Sequence, residues 1–176
     1  MSFLLFLLLY AGLVFGLIVV HESGHYFAGW LAGIPPRDMR LVLFSFPQHV
    51  AIRDGERWLS PVREIERYIE VTKQHLPSRT AAFCWVAGGM AVELATAFAL
   101  WVAATAAGYG GVAFWVAAIS LGMYLINLCF MDLPWAVRYR CAAGDTSGLW
   151  QIAPVAAVIF TAVMLASRIL LVVLST

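Results

Sequence analysis

The sequence opens with an uncharged apolar run of 18 residues, 3–20, and this run constrains the fold more than any other feature. A helix of about 20 apolar residues crosses the hydrocarbon core of a bilayer. Three later apolar segments have a similar length, and 62% of the chain is hydrophobic while only 12% is charged. The sequence therefore predicts an α-helical integral membrane protein with four transmembrane helices. We place these helices at about residues 3–33, 80–107, 112–133 and 149–174.

A polar insert, residues 34–79, separates the first predicted span from the second. The apolar runs 41–46 and 50–52, with turn residues between them, predict a small β-hairpin. From Ser60 onwards apolar residues recur at helical spacing, which predicts a short interfacial helix with a charged outer face. We expect residues 1–176 to form a single membrane-embedded domain.

Basic residues indicate how the chain is oriented in the membrane. Eight of the eleven Lys and Arg residues lie between Arg37 and Arg79, and Arg138 and Arg140 precede the last span. Cytoplasmic loops carry an excess of positive charge. We therefore expect the β-hairpin and the interfacial helix to be cytoplasmic and both termini to lie outside, in a plasma membrane of the bacterial type. The net charge of +1 indicates no nucleic-acid partner.

Charged residues also stand inside the predicted spans. Glu93 lies near the middle of the second span, where it must be protonated, paired or directed into a polar cavity. Arg168 in the fourth span is expected to extend its side chain towards the membrane interface. Pro154 is expected to kink the same span.

An H-E-x-x-H motif, formed by His21, Glu22 and His25, follows the first apolar run directly. Residues i and i+4 lie on one face of a helix, so both imidazoles can bind one ion, which in this motif is zinc. The glutamate between them is placed to reach a water bound to the metal. Ionisable residues without compensation are costly in a transmembrane helix, which favours a metal site over two structural histidines.

The motif supplies only two of the three protein ligands that a catalytic zinc takes. The remaining candidates are acidic residues in or near the later spans and histidines of the polar insert. They are Asp132, Asp145, Glu93, His49 and His75. The residues alone leave these alternatives open.

In several features the chain resembles the site-2 protease family of intramembrane zinc metalloproteases. The H-E-x-x-H motif lies in a first transmembrane helix, and the small-residue run 87–89 is similar to an Ala-Gly-rich stretch of that family. Asn127 begins a segment similar to the family's Asn-Leu-Leu-Pro, although Phe130 stands in place of the proline. The family's next motif is Asp-Gly, whose aspartate is the third zinc ligand. Gly144-Asp145 is the nearest match to it here.

The resemblance implies hydrolysis of peptide bonds in transmembrane protein substrates, near the cytoplasmic face. It implies a zinc ion bound by His21, His25 and Asp145, with Asp132 as the alternative third ligand. Glu22 would activate the zinc-bound water, and Asn127, the other implied catalytic residue, would hold the substrate backbone or stabilise the oxyanion. A helical substrate must unwind, and the β-hairpin is expected to bind it by strand addition.

Two other functions remain open at this point. One is a membrane gluzincin, with Glu93 as the third ligand. The other is a catalytically inactive relative that acts as a membrane-protein binding or metal-binding module. The missing Asp-Gly and the departure at Phe130 favour it, and the intact Glu22 disfavours it. Because no soluble regulatory domain fits within 176 residues, a regulatory membrane protein is expected to control access to the site.

Overall fold

The computed structural model describes residues 3–138 and 144–176. The helices are α1 (Phe3–Ala32), α2 (Ile65–His75), α3 (Arg79–Ala106), α4 (Gly110–Ile126), α5 (Leu133–Arg138), α6 (Asp145–Ile152) and α7 (Pro154–Val173). The strands are β1 (Met39–Val42), β2 (His49–Asp54) and β3 (Arg57–Leu59), and a 3-10 helix (Pro36–Asp38) and a π-helical turn (Asn127–Asp132) complete the described part. The connection before the last predicted span contains Arg140 and falls partly on residues 139–143, which lie outside the described residues.

Four helical segments are long and apolar enough to span a membrane: α1, α3, Gly110–Phe130 and α7. Their number agrees with the prediction, and the first two begin and end within one residue of the predicted bounds. α1 ends where Gly33 adopts a φ of 116° and two prolines follow, because proline cannot continue a helix.

The fourth span begins later than predicted. Residues 149–152 belong to α6, and Ala153, with φ −152° and ψ 86°, separates that helix from α7. The residue before a proline is disfavoured in the helical region, whereas proline suits the first position of a helix. Pro154 therefore starts α7 and does not kink a continuous span, so the predicted bounds of 149–174 were wrong at the N-terminal end.

The polar insert contains a three-stranded antiparallel sheet in the order β1-β2-β3, where the sequence predicted two strands. Met39 pairs with Ile52, and Ile52 pairs with Leu59. The first strand lies earlier than predicted, since residues 43–48 form the connection to β2. β3 has only three residues, too few for a hydrophobic period to reveal it.

α2 packs against this sheet and begins at Ile65, four residues later than predicted from Ser60 as the cap and Pro61 as the first helical residue. The carbonyl of Ser60 accepts hydrogen bonds from the backbone N–H groups of residues 63 and 64, so residues 60–64 form a turn before the helix. Tyr68 and Val71 are buried against the strands, and the Tyr68 hydroxyl donates to the Val50 carbonyl at 2.9 Å. The insert thus has a core of its own that joins α1 and α3.

The prediction that Arg168 extends to the interface was wrong. The Arg168 side chain is buried, forms an ion pair with Glu93, and donates to Ser120 Oγ at 3.2 Å and to the Met164 carbonyl at 3.2 Å. Its guanidinium also lies 4.5 Å from the centre of the Tyr124 ring. A buried arginine is retained when partners satisfy its charge, and α3 and α4 supply those partners within the bundle.

Candidate metal centre

Three side chains that are distant in sequence converge between α1 and α6. His21 Nε2 lies 2.8 Å from Asp145 Oδ2, and His25 Nε2 lies 3.2 Å from the same oxygen. The two imidazole Nε2 atoms are 3.2 Å apart. Among the residues that the structure describes, this is the group of His, Cys, Asp or Glu side chains close enough to hold a metal ion.

The local fold explains each position. His21 and His25 are one turn apart in α1, and Asp145 is the first residue of α6. The side chains are largely covered: 17% of His21, 11% of His25 and 28% of Asp145 is exposed. Burial alone would raise the pKa of Asp145, but His25 and His21 outweigh it and hold that pKa well below its usual range. Asp145 is therefore a carboxylate.

The second nitrogen of His25 has its own partner. Nδ1 lies 3.1 Å from the backbone carbonyl of Trp85 in α3, and a carbonyl can only accept, so Nδ1 carries the proton. In the neutral ring this leaves the Nε2 lone pair directed at Asp145 and His21. This role of Trp85 could not be predicted from the sequence, because any residue could offer its carbonyl.

Glycines bring α3 next to the two histidines. A β-carbon on Gly89 would overlap His25 Nε2, and one on Gly24 would lie 2.5 Å from the Gly88 carbonyl oxygen. Small residues such as those of the run 87–89 let another helix approach closely, and the structure shows that α1 is the partner. The site therefore lies where the two helix backbones are nearly in contact.

Glu22 is buried next to the group, with 8% of its surface exposed. It is near enough to interact electrostatically with both histidines and with Asp145. Among the described residues its carboxylate has no hydrogen-bond partner, so its oxygens are free to accept a proton from a water at the site.

The two acidic alternatives are engaged elsewhere. Glu93 accepts from Ser120 Oγ at 2.7 Å and pairs with Arg168. Asp132 is buried, and its Oδ1 accepts from the backbone N–H and from the hydroxyl of Ser147, both at 2.8 Å. The structure therefore brings neither carboxylate into the group formed by the two histidines. Of the three acidic candidates, the structure places Asp145 next to the two histidines.

The other predicted residues also lie apart from the group. His49 Nδ1 lies 3.0 Å from the Pro47 carbonyl in the sheet, and His75 is at the end of α2. Asn127 is exposed at the start of the π-helical turn and, within the described part of the chain, forms no hydrogen bond with the two histidines or Asp145. A role of Asn127 towards a bound substrate stays a prediction.

Comparison of the chain with models of protein families, with curated proteins and with solved structures found no match. What the site can do follows from its donor atoms. In tetrahedral zinc sites, ligand atoms about 2.0–2.2 Å from the ion lie about 3.3–3.6 Å apart. The separations of 3.2 and 3.2 Å are about 0.1 Å below that range, and the 2.8 Å separation between His21 and Asp145 is about 0.5 Å below it. Two imidazoles and one carboxylate thus fit a transition-metal ion with a fourth position open.

Proposed function

We propose that the chain is a zinc-dependent intramembrane endopeptidase that hydrolyses peptide bonds of transmembrane proteins near the cytoplasmic face of the membrane. The observation that carries the proposal is the convergence of His21, His25 and Asp145 with a buried glutamate, Glu22, beside them. Hydrolytic zinc sites combine three such ligands with an adjacent general base. A site that only stored metal would have no need of the base.

The donor set favours zinc over harder cations. Calcium and magnesium prefer an all-oxygen shell, whereas two imidazoles with one carboxylate suit zinc. When bound, zinc polarises the scissile carbonyl and lowers the pKa of its water. The Trp85 carbonyl fixes the ring of His25 so that Nε2 would be available to hold the ion. Asp145 would contribute one negative charge and neutralise half of the charge of a divalent ion.

Glu22 is the general base of the proposed reaction. Its carboxylate takes a proton from the attacking water as the water oxygen bonds to the scissile carbon. The same proton then passes to the leaving nitrogen as the carbon–nitrogen bond breaks, so Glu22 ends in its initial state. The reaction consumes one water and releases a carboxylic acid and an amine, which become a carboxylate and an ammonium when the acid proton passes to the amine.

A transmembrane substrate fits the depth of the site. His21 is the nineteenth residue of α1, about 27 Å along the helix from Phe3, so the histidines stand near one end of a membrane span. A substrate helix must unwind to offer its carbonyl, because its backbone is already hydrogen-bonded. β1 is an outer strand of the sheet and contacts α1, which suits binding of the extended segment by strand addition.

Zinc content and cleavage of a generic transmembrane substrate, measured together, test the proposal. Wild type should carry about one zinc and cleave; Glu22→Gln should keep zinc and lose about 10²–10⁴-fold in rate; Asp145→Asn should lose zinc. Glu66, which is exposed, and Asp38, which is partly exposed, lie outside the group and provide matched controls. Glu66→Gln and Asp38→Asn should behave as wild type.

Two outcomes would redirect the proposal. Zinc bound by the wild type without cleavage, as in Glu22→Gln, would support the catalytically inactive relative. Loss of zinc in Glu93→Gln, with zinc retained in Asp145→Asn, would support the gluzincin. The pairing of Glu93 with Arg168 argues against this second outcome.

A further inference from the structure

Asp132 caps the N-terminus of α6 although it belongs to a different element. Its Oδ1 lies 2.8 Å from the backbone nitrogen of Ser147, the third residue of α6. The N–H groups in the first turn of a helix have no partner within the helix, and an N-cap side chain normally supplies one. Here the residue at the N-cap position is Gly144, which has no side chain. Asp132, which lies in the π-helical turn, supplies the acceptor that a side chain at the N-cap would normally provide.

The side chain of Ser147 and the absence of one at Gly144 both support this cap. Ser147 Oγ accepts from the Gly144 backbone N–H at 3.0 Å and donates to Asp132 Oδ1 at 2.8 Å. A β-carbon on Gly144 would lie 2.7 Å from the same carboxylate oxygen, nearer than such atoms approach each other. The glycine therefore leaves the space in which the carboxylate sits, and one acidic side chain, one hydroxyl and one glycine act as a unit.

We propose that Asp132 is a positioning residue that holds Asp145 against His21 and His25; the inference rests on the proposed metal site. Asp145 directly follows Gly144 and starts the turn that Asp132 caps. α6 has eight residues, and a helix of that length is not stable without outside contacts. The negative charge of Asp132 also interacts favourably with the helix dipole at this end. If the cap is lost, the direction of the Asp145 side chain is no longer fixed.

Residues that hold a metal ligand in place typically change metal affinity about 10–100-fold when they are replaced. We expect Asp132→Ala to weaken binding of Co²⁺, used as a spectroscopic probe for zinc, by such a factor. Asp132→Asn keeps an oxygen that can accept from Ser147 and should recover most of the affinity. A side chain that itself bound the ion would not be replaced by an amide so readily.

Hydrogen exchange in the metal-free protein provides a readout independent of the ion. The backbone amides at the start of α6 should exchange faster in Asp132→Ala than in wild type, whereas those of the transmembrane helices should be unchanged. Unchanged exchange in the transmembrane helices shows that the variant is still folded. The chain of residues 1–176 in detergent is used for both measurements.

Two glycines provide a matched pair of variants. A β-carbon at Gly144 collides with Asp132, while a β-carbon at Gly148 would have only an ordinary contact with Val86 at 3.5 Å. Gly144→Ala should therefore lower Co²⁺ affinity as Asp132→Ala does, and Gly148→Ala should not.

The outcomes separate the inference from the proposed function. Unchanged affinity of Asp132→Ala, next to a wild type that binds Co²⁺ tightly, would overturn the positioning role and leave the metal site intact. Unchanged hydrogen exchange in α6 would overturn the capping role. A folded wild type that binds no Co²⁺ would contradict the proposed function, and the positioning role would be overturned with it.

Discussion

Gly89 of α3 lies so close to the imidazole of His25 that a β-carbon at this position would overlap the Nε2 atom. The glycine thus leaves the volume that this nitrogen needs in order to face Asp145. Because the neighbouring backbones of α1 and α3 are in near contact, the ring has little room to move aside. The contact is therefore part of the candidate metal centre, although Gly89 has no side chain.

Gly89→Ala should weaken metal binding at least about 10-fold, the lower end of the effect of changes next to a metal ligand. The amount of zinc retained after dialysis against a weak chelator measures this loss of affinity. Gly16→Ala is the matched control, because a β-carbon there would meet nothing within 4 Å, and it should bind like wild type. Equal retention in both variants would show that His25 can move without loss of the site.

Replacing Arg168 with methionine should lower the free energy of unfolding by about 3–5 kcal/mol, because Glu93 would then be buried without its partner. The double variant Glu93→Gln/Arg168→Met should recover much of this loss, since no unpaired charge remains. Unfolding in detergent with increasing denaturant measures all three proteins. A double variant less stable than Arg168→Met alone would contradict the explanation.

The zinc content of the folded fraction should be unchanged in the same variants. Glu93 and Arg168 join α3 to α7 and take no part in the group of His21, His25 and Asp145. Arg63→Met, which removes an exposed arginine of the insert, is the control and should have little effect on stability.

The sequence predicted the part of the centre that depends on local geometry. His21 and His25 are four residues apart, and any helix brings them side by side. Asp145 and Asp132 could not be distinguished by the residues alone, because both precede the last span and only tertiary structure shows which one reaches the histidines. The resemblance to a known family, and not periodicity, favoured Asp145.

The error at Arg168 arose because a linear pattern does not identify partners. Arg168 was expected at the interface because its position is near the end of a span, whereas Glu93 and Ser120 offer it a site inside the bundle. The contacts of the Trp85 carbonyl with His25 and of Asp132 with Ser147 each involve a backbone group, so the residue types do not reveal them. The two bonded residues are 60 positions apart in the first contact and 15 in the second.

Asp54 and Arg67 join β2 to α2 and should make the stability of the insert depend on pH. Arg67 donates to both carboxylate oxygens, at 2.8 and 3.0 Å, and these hydrogen bonds hold the pKa of Asp54 below its usual value. Because the folded-state pKa is the lower one, the stabilisation is present above about pH 4 and is lost as the pH falls through the folded-state value. Asp54→Asn should lack this acid-dependent loss.

Thermal unfolding of the insert between about pH 2 and pH 7 measures this difference. Glu56→Gln, which changes an exposed carboxylate in the neighbouring turn, should keep the wild-type profile. The difference between wild type and Asp54→Asn should shrink in high salt, because both partners are partly exposed. Identical profiles for these two proteins would contradict the assignment.

Tyr68 connects the insert to the candidate metal centre, and two substitutions separate its contributions. Its hydroxyl donates to the Val50 carbonyl at 2.9 Å, and its ring stacks on Trp85 with the ring centres 5.9 Å apart. Burial raises the pKa of Tyr68, so the hydroxyl keeps its proton as a donor. Tyr68→Phe should cost about 0.5–1.5 kcal/mol and leave zinc binding unchanged, because the ring still packs on Trp85.

Tyr68→Ala removes the ring as well and should cost about 3–5 kcal/mol. It should also weaken zinc binding, because Trp85 loses the ring that holds it while its carbonyl fixes His25. Unfolding free energies and zinc retention, measured on both variants, test this order. If Tyr68→Ala loses stability and keeps full zinc affinity, the Trp85 backbone is held by α3 alone and the insert does not support the centre.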